Sequence, residues 1–427
     1  MKNKTDDAWN SLFKKHDIID NIEKNGVYQI SATQIKEFRE PRLMVKFDHT
    51  INLPKPFAEK GLSILPITRG DYIISHFNAY HNFEAVQGDI TTVQLPYYIQ
   101  SLDITNITSE AAALNCAYVS GIIADFLEDD QLVPTVSGRM SSGDFSFKIK
   151  DTYFNIQRSV FVNNSQMEID AGYEGVQKLA LIEAKLDLSD DFIVRQIYYP
   201  FRVWSNRVSK SVKPIFLVYS NGIFYLYEYK FQNYKDYNSL ELVKQKRYTV
   251  EEDRVINRKE IVNLLSKVQT IREPKIAFPQ ADNFDRIINL CELLKEHPMT
   301  KYEITIKYAF DARQADYYTS AARYLGLVEK KKDNKDVIFS LTPKGESILC
   351  LKYKSRHMDF CRAILSHEVF AKSLEMRLKN NNITKQDILK IMKNCDLYNL
   401  ESEATYNRRA STVKSWIEWI INLINES

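Results

Sequence analysis

Apolar and polar positions change their period along this chain, and each change marks an element. From Gln166 to Tyr173 they alternate, and from Leu179 to Ala184 they run almost unbroken before the stretch ends in Glu183-Ala184-Lys185. Alternation reads as a half-buried strand, and the short apolar run as a strand buried on both faces. With a loop over 175–178 the two form an antiparallel hairpin whose register sets Asp170 opposite Glu183 and Glu168 opposite Lys185. Upstream, Ser109 precedes Ala112, Ala113, Cys116, Val119, Ile122, Ile123 and Phe126 at helical spacing, which predicts a helix over 109–130 capped by Ser109. Residues 133–147 read as a loop and a strand. Downstream, 190–204 reads as a helix capped by Ser189 or Asp190, and 214–231 as two strands around a Ser220-Asn221-Gly222 turn.

Toward the ends the pattern is of other kinds. Residues 1 to about 30 read as a helix and the start of a strand, and 35–81 as short mixed segments punctuated by Arg39, Arg42, Lys46 and Arg69. Pro274 and Pro279 break the text at 273–282. Beyond them come helical patterns over 284–295, 301–308 and 311–325, a strand pair over 328–332 and 336–342, and helical text over 351–424 with Trp416 and Trp419 turned inward. The fold class expected is α/β, of the mixed α+β kind. A mixed central sheet flanked by helices occupies 1–272, a linker 273–282, a second domain 283–350, and an all-helical region 351–427.

Composition narrows the class. In 427 residues Gly and Pro number only twelve each while aromatics reach 12%, a folded composition rather than a disordered one. The amino end has no signal-peptide core and no apolar run approaches membrane-spanning length, so a cytoplasmic protein is expected. Five widely spaced cysteines with no Cys-x-x-Cys pair indicate neither a disulfide framework nor a zinc site. From residue 301 onward 22 Lys and Arg stand against 16 Asp and Glu, so that part carries +6 and the remainder −3. An acidic centre joined to a basic tail suits an enzyme acting on nucleic acid, and an ordinary solvated surface fits the same numbers.

The charges at the hairpin's end supply candidate chemistry. Converging carboxylates offer the oxygens a hard divalent cation prefers and leave positions for water and a phosphate oxygen. The lysine can orient or deprotonate an attacking water and offset charge in the transition state. An ordinary cross-strand ion pair is the plainer reading of Glu168 and Lys185. The arrangement resembles the PD-(D/E)XK nuclease superfamily, with Asp170 as the motif's aspartate, Glu183-Ala184-Lys185 as its (D/E)xK element, and Ile169 where the naming proline would stand. That resemblance implies a PD-(D/E)XK restriction-endonuclease-like core, metal ligands Asp170, Glu183 and Glu168, and Mg²⁺, or Mn²⁺ in its place, as cofactor. It also offers Glu110, on the upstream helix, as a further carboxylate of the site, and Gln196, beyond the Glu-x-Lys element, as a polar residue facing it. Glu110 equally suits the helix dipole, and Gln196 a backbone cap.

Three helices followed by a strand pair, with Tyr324-Leu325-Gly326-Leu327-Val328-Glu329 and Leu341-Thr342-Pro343-Lys344-Gly345-Glu346, resemble a winged-helix DNA-binding module. The resemblance implies that the third helix offers Arg313, Gln314, Tyr317, Tyr318 and Arg323 to the major groove, and that Lys331 and Lys332 on the wing grip phosphates. Arg408 and Arg409 head a second reading helix or a dimer-forming face, and Arg139 contacts the DNA backbone or sits in a plain turn. With Phe38-Arg39-Glu40-Pro41-Arg42-Leu43-Met44 and Arg195-Gln196-Ile197-Tyr198-Tyr199-Pro200-Phe201-Arg202, most of the chain resembles a type II restriction endonuclease. By that resemblance it is expected to hydrolyse both strands of unmodified double-stranded DNA to 5′-phosphate ends, as a homodimer, with a cognate DNA methyltransferase acting on the same target without being bound. The alternatives are a repair or mobile-element nuclease of the same fold and a non-cleaving winged-helix regulator.

Overall fold

The hairpin predicted around 166–185 lies in the middle of a seven-stranded mixed sheet. The computed structural model describes residues 4–86, 88–251, 254–308, 310–333 and 336–424. Numbered within the sheet, its strands are β1 (Ile90–Thr92), β2 (Val133–Ser141), β3 (Gln166–Glu174), β4 (Lys178–Lys185), β5 (Ser211–Ser220), β6 (Ile223–Phe231) and β7 (Leu240–Thr249), in the spatial order β1-β7-β6-β5-β4-β3-β2. β4 runs antiparallel to β3 and parallel to β5, and the crossover between β4 and β5 is the helix Arg195–Ser205. The apolar run predicted to be buried on both faces is so: Leu179, Ala180, Leu181, Ile182 and Ala184 are all buried. Leu179 and Leu181 join a core with the crossover helix, and Ala180, Ile182 and Ala184 join another under the helices Glu110–Val119 and Ile122–Leu127. β5 and β6 meet in a two-residue turn in which Asn221 and Gly222 both have positive φ, the geometry that Asn-Gly supplies most easily.

Three local expectations change. The helix expected over 109–130 is two, broken at Ser120-Gly121, where Gly121 takes φ 79°. Residues 133–141 form strand β2 rather than a loop, followed by a separate hairpin of Asp144–Asp151 and Ile156–Asn163. The helix expected from Asp190 begins only at Arg195, because Asp191–Ile193 is a short strand paired with Tyr80–Asn82.

Beside this sheet an amino-terminal part packs helices Lys4–Lys15 and Ile18–Asn25 with a three-stranded sheet, around Trp9, Leu12, Phe57 and Ile74, and its Asn52 side chain donates to the Thr305 and Tyr308 carbonyls. In the carboxyl-terminal part the helices Phe284–Glu296, Lys301–Lys307 and Ala312–Tyr324 precede an antiparallel pair, Val328–Asp333 and Asp336–Leu341, with Met299–Thr300 added to the edge. Five further helices among the described residues, ending with Glu403–Asn422, share their core. The stretch 273–282 is no free tether. Phe278 and Ala281 are buried in that core, Ala281 accepts a hydrogen bond from Trp416, and Glu273 accepts one from Tyr324. The helix Arg258–Lys267 also buries Ile261 and Leu264 there, so the carboxyl-terminal body starts earlier than residue 283. The two bodies dock at the β5–β6 turn, where Glu292 accepts from Ser220 and from the Asn221 backbone, and His357 meets the Asn221 side chain.

Candidate functional site

At the end of β4 the ladder and the side chains trade places. β3 and β4 pair regularly from Glu174 and Leu179 to Ala171 and Ile182, in the register the sequence predicted, and the ladder ends one step before Asp170 and Glu183. There the backbone pairing stops, and the Asp170 carboxylate itself accepts the Ala184 N–H at 2.8 Å. A side chain thus satisfies a strand N–H that a neighbouring carbonyl would otherwise take. Glu183 is the next partner: its Oε1 accepts from Lys185 Nζ at 2.6 Å and from Gln196 Nε2 at 2.7 Å. Glu110, in the first turn of a helix whose cap Ser109 takes the Ala112 N–H, lies 3.6 Å from Lys185 Nζ. Five of the residues singled out in the sequence therefore converge: Glu110, Asp170, Glu183, Lys185 and Gln196.

Electrostatics bind this group together. Burial raises the Glu183 pKa above the ordinary carboxylate range; Lys185 opposes that rise and Asp170 adds to it. Burial alone would lower Lys185, but Glu183, Glu110 and further carboxylates outweigh it and hold the ammonium well above its usual value. Glu110 is also raised, first by burial. An open groove of about 310 Å³ runs beside Asp170, between the helix Glu110–Val119 and β2, and is lined by Leu114, Asn115, Thr135 and Ser137 among others.

Glu168 does not join. Past Asp170 strand β3 has left β4 and keeps its pairing with β2, in which Glu168 stands opposite Arg139 and its exposed carboxylate lies 3.4 Å from the guanidinium. The expected Glu168–Lys185 opposition fails because the paired ladder ends at Ala171 and Ile182, three pairs short of it. Among the described residues, no three His, Cys, Asp or Glu side chains gather as a ready ligand shell for a metal ion.

Sequence reasoning missed a second set of groups around the exit of β4. His49 sits 3.2 Å from Asp187 Oδ2 through Nε2, and its Nδ1 meets the Asp191 carbonyl oxygen. Thr50 donates to the Asp191 carboxylate from both its N–H and its hydroxyl. Burial would push the His49 pKa down, but Asp187 and Asp191 hold it up, to about 10. Residues 48–50 thus form a strap beside the exit of β4, which brings Asp48 near enough for its charge to act on Glu183 and Lys185. Asp187, two residues past Lys185, was the only one of these with a local signal; the strap is distant in sequence.

In the carboxyl-terminal body Arg313 is exposed with its guanidinium on the Tyr317 hydroxyl, and Arg323 is half-buried. Lys331 and Lys332 are exposed on Val328–Asp333, Lys331 being paired with Glu329. Gln314 doubles as the capping partner of Asp311. Tyr318 does not face outward: it is buried, stacked on Phe310 with the Arg286 guanidinium nearby. Its position on the inner face of Ala312–Tyr324 corrects the expectation that it reads DNA. Arg408 is exposed, whereas Arg409 is half-buried against Gln280 and close enough to Tyr317 to feel its field. Arg313, Tyr317 and Arg409 thus lie near one another, although they come from helices nearly a hundred residues apart.

Three family models match consecutive stretches of the chain. Each is a domain of unknown function: DUF6996 over residues 6–74, DUF6997 over 75–249 and DUF7226 over 286–425. No curated protein and no solved structure matches the chain. All five converging residues fall in the DUF6997 stretch, while His49 and its strap lie in the DUF6996 stretch and the carboxyl-terminal helices in DUF7226. Among the described residues no helix is long and apolar enough to cross a membrane.

Proposed function

We propose that the chain is a divalent-metal-dependent endonuclease of the type II restriction kind, built on a PD-(D/E)XK core, that hydrolyses double-stranded DNA to 5′-phosphate ends. The observation that carries this reading is the end of β4, where Asp170, Glu183 and Lys185 meet on adjacent strands with Gln196 and Glu110 around them. Asp170 and Glu183 would hold Mg²⁺ or Mn²⁺. The donor set fits, because Mg²⁺ commonly takes one or two carboxylates and fills the rest of its shell with water and phosphate oxygens. When bound, such an ion supplies a Lewis acid and a more acidic water. Lys185, held well above its ordinary pKa by its carboxylate neighbours, serves as a fixed positive charge for a phosphate oxygen rather than as a base. Gln196 fixes the Glu183 rotamer, and Glu110 shares the lysine.

Recognition is assigned to the carboxyl-terminal body, read as a winged helix. Ala312–Tyr324 would enter the major groove with Arg313, Gln314, Tyr317 and Arg323, while Lys331 and Lys332 grip phosphates and Arg408 and Arg409 extend the surface. The biological setting that goes with this reading is defence against foreign DNA, with a companion methyltransferase protecting the host's own sites and a homodimer cutting both strands. The test is digestion of unmethylated phage DNA by the purified chain with Mg²⁺, followed by sequencing of the ends. Discrete fragments with one shared end sequence support the proposal; intact DNA, or cutting that persists in excess chelator, refutes it.

A further inference from the structure

The residues that follow Lys185 are held from both sides by parts of the chain outside the sheet. On one side is the His49 strap, reinforced by the Ile193 N–H donating to the Asp48 carbonyl at 2.9 Å. On the other is Asn289, a buried side chain on the helix Phe284–Glu296. Its Nδ2 donates to the Leu186 carbonyl at 2.7 Å and its Oδ1 accepts the Leu188 N–H at 3.1 Å. A carboxamide carries a donor and an acceptor together, so one side chain can hold a carbonyl and an N–H of an irregular segment as a strand neighbour would. Nδ2 also reaches Ser220 Oγ at 3.1 Å, at the end of β5, the parallel partner of β4. The same helix bears Arg286, whose guanidinium lies over the Phe310 ring and near Tyr318 of the helix assigned to recognition. A chain of direct contacts therefore runs from that helix to the peptide groups next to Lys185.

We propose that Asn289 is a positioning residue, which ties the carboxyl-terminal body to the exit of β4 and sets the geometry of Glu183 and Lys185 when that body is seated on duplex DNA. What is positioned rests on the nuclease reading; the tie itself does not. Small displacements matter at such a centre, since a misplacement of about 1 Å costs on the order of 100-fold in rate.

The experiment compares the full-length chain with Asn289→Leu, which removes all three bonds at similar volume, and Asn289→Asp, which keeps the acceptor for Leu188 and loses the donor to Leu186. Single-turnover cleavage, duplex affinity and amide hydrogen exchange over residues 186–188 are measured for each. Asn289→Leu should cut about 10 to 100 times more slowly, hold duplex DNA with affinity within about twofold of the parent, and exchange the 186–188 amides faster. Asn289→Asp should fall between. Duplex DNA should slow exchange at 186–188 in the parent and do so less in Asn289→Leu. Parental cutting and exchange in Asn289→Leu would overturn the proposal, as would equal losses of affinity and cutting, which mark a plain docking contact. If the parent does not cut, the nuclease reading falls, and the exchange comparison still decides whether the tie exists. Should Asn289→Leu fail to fold, Asn289→Asp carries the same comparison.

Discussion

Acid should loosen the joint between the two bodies, and the group responsible is His357. It is fully buried on the helix Tyr353–Leu365, with Nδ1 hydrogen-bonded to the Tyr353 carbonyl and Nε2 2.9 Å from Asn221 Nδ2 at the β5–β6 turn. Nδ1 must donate to that carbonyl, so Nε2 is left as the acceptor for the Asn221 amide, and the ring is neutral. Burial, and then the neighbouring Arg356, push its pKa down to about 3 from the ordinary 6.5. The unfolded chain takes up this proton at its ordinary pKa and the folded chain does not until about 3. Folding stability is therefore whole above the ordinary value and is lost as pH falls below it, at about 1.4 kcal/mol per pH unit. By about pH 5 the loss is about 2 kcal/mol. His357→Phe keeps the ring stacking on Tyr353 and removes the titrating nitrogen. It also strips Asn221 Nδ2 of its acceptor, at a cost of about 1–3 kcal/mol near neutrality. Urea unfolding followed by tryptophan fluorescence should show the parent more stable at about pH 7, with the gap closing by about 2 kcal/mol at about pH 5. A gap of constant size across that range would refute the assignment of a neutral buried imidazole.

Other outcomes follow from the site and the carboxyl-terminal body. Glu183→Gln and Lys185→Ala should each reduce cleavage by at least about 100-fold with duplex binding retained, as measured by single-turnover digestion and gel shift. Asp170→Ala should lose cleavage and also about 1–3 kcal/mol of stability, because the Ala184 N–H is left without its acceptor; calorimetry on Asp170→Asn, which keeps an acceptor oxygen, should show a smaller loss. Replacing Lys331 and Lys332 together should weaken all duplex sequences alike and shallow the salt dependence by about two phosphate contacts, whereas Arg313→Ala should cost roughly 1–3 kcal/mol on the cognate sequence if it reads a guanine. A fragment beginning near residue 281 should fold less stably than one beginning near 254, which keeps Ile256, Ile261, Leu264 and Phe278 in the core at about 1.5–3 kcal/mol for each buried side chain; equal urea midpoints would contradict that boundary.

Where the sequence was legible, one local rule was in force. Strand β4 declared itself by a continuous apolar run and the β5–β6 turn by Ser220-Asn221-Gly222, and both stand where those signals put them; the helix announced by Ser109 starts where its cap put it but breaks at Ser120-Gly121 inside the apolar spacing. The hairpin register followed from the same rule, up to one step before Asp170 and Glu183. Glu168 was misplaced because strand pairing was extended past a point where a side chain replaces the ladder, an event that no local pattern announces. Tyr318 was misplaced because a tyrosine among arginines has the same letters whether its ring faces a groove or stacks on Phe310. His49 and Asn289 were invisible for a different reason, since their meaning lies in partners more than a hundred residues away.

Asp170 holds a structural post besides the role proposed for it, and under that proposal the difference decides how this lineage would decay. Its carboxylate stands in for a missing strand carbonyl and so stabilises the sheet whether or not any chemistry takes place beside it. Lys185 donates to the Ala184 carbonyl, but burying its ammonium is worthwhile only while Glu183 and Glu110 are beside it. A descendant released from selection for its chemistry would be expected to shed Lys185 and its partner carboxylates early, and Asp170 late. A surviving aspartate at this position is therefore poor testimony that a relative still acts, and the lysine is the better witness.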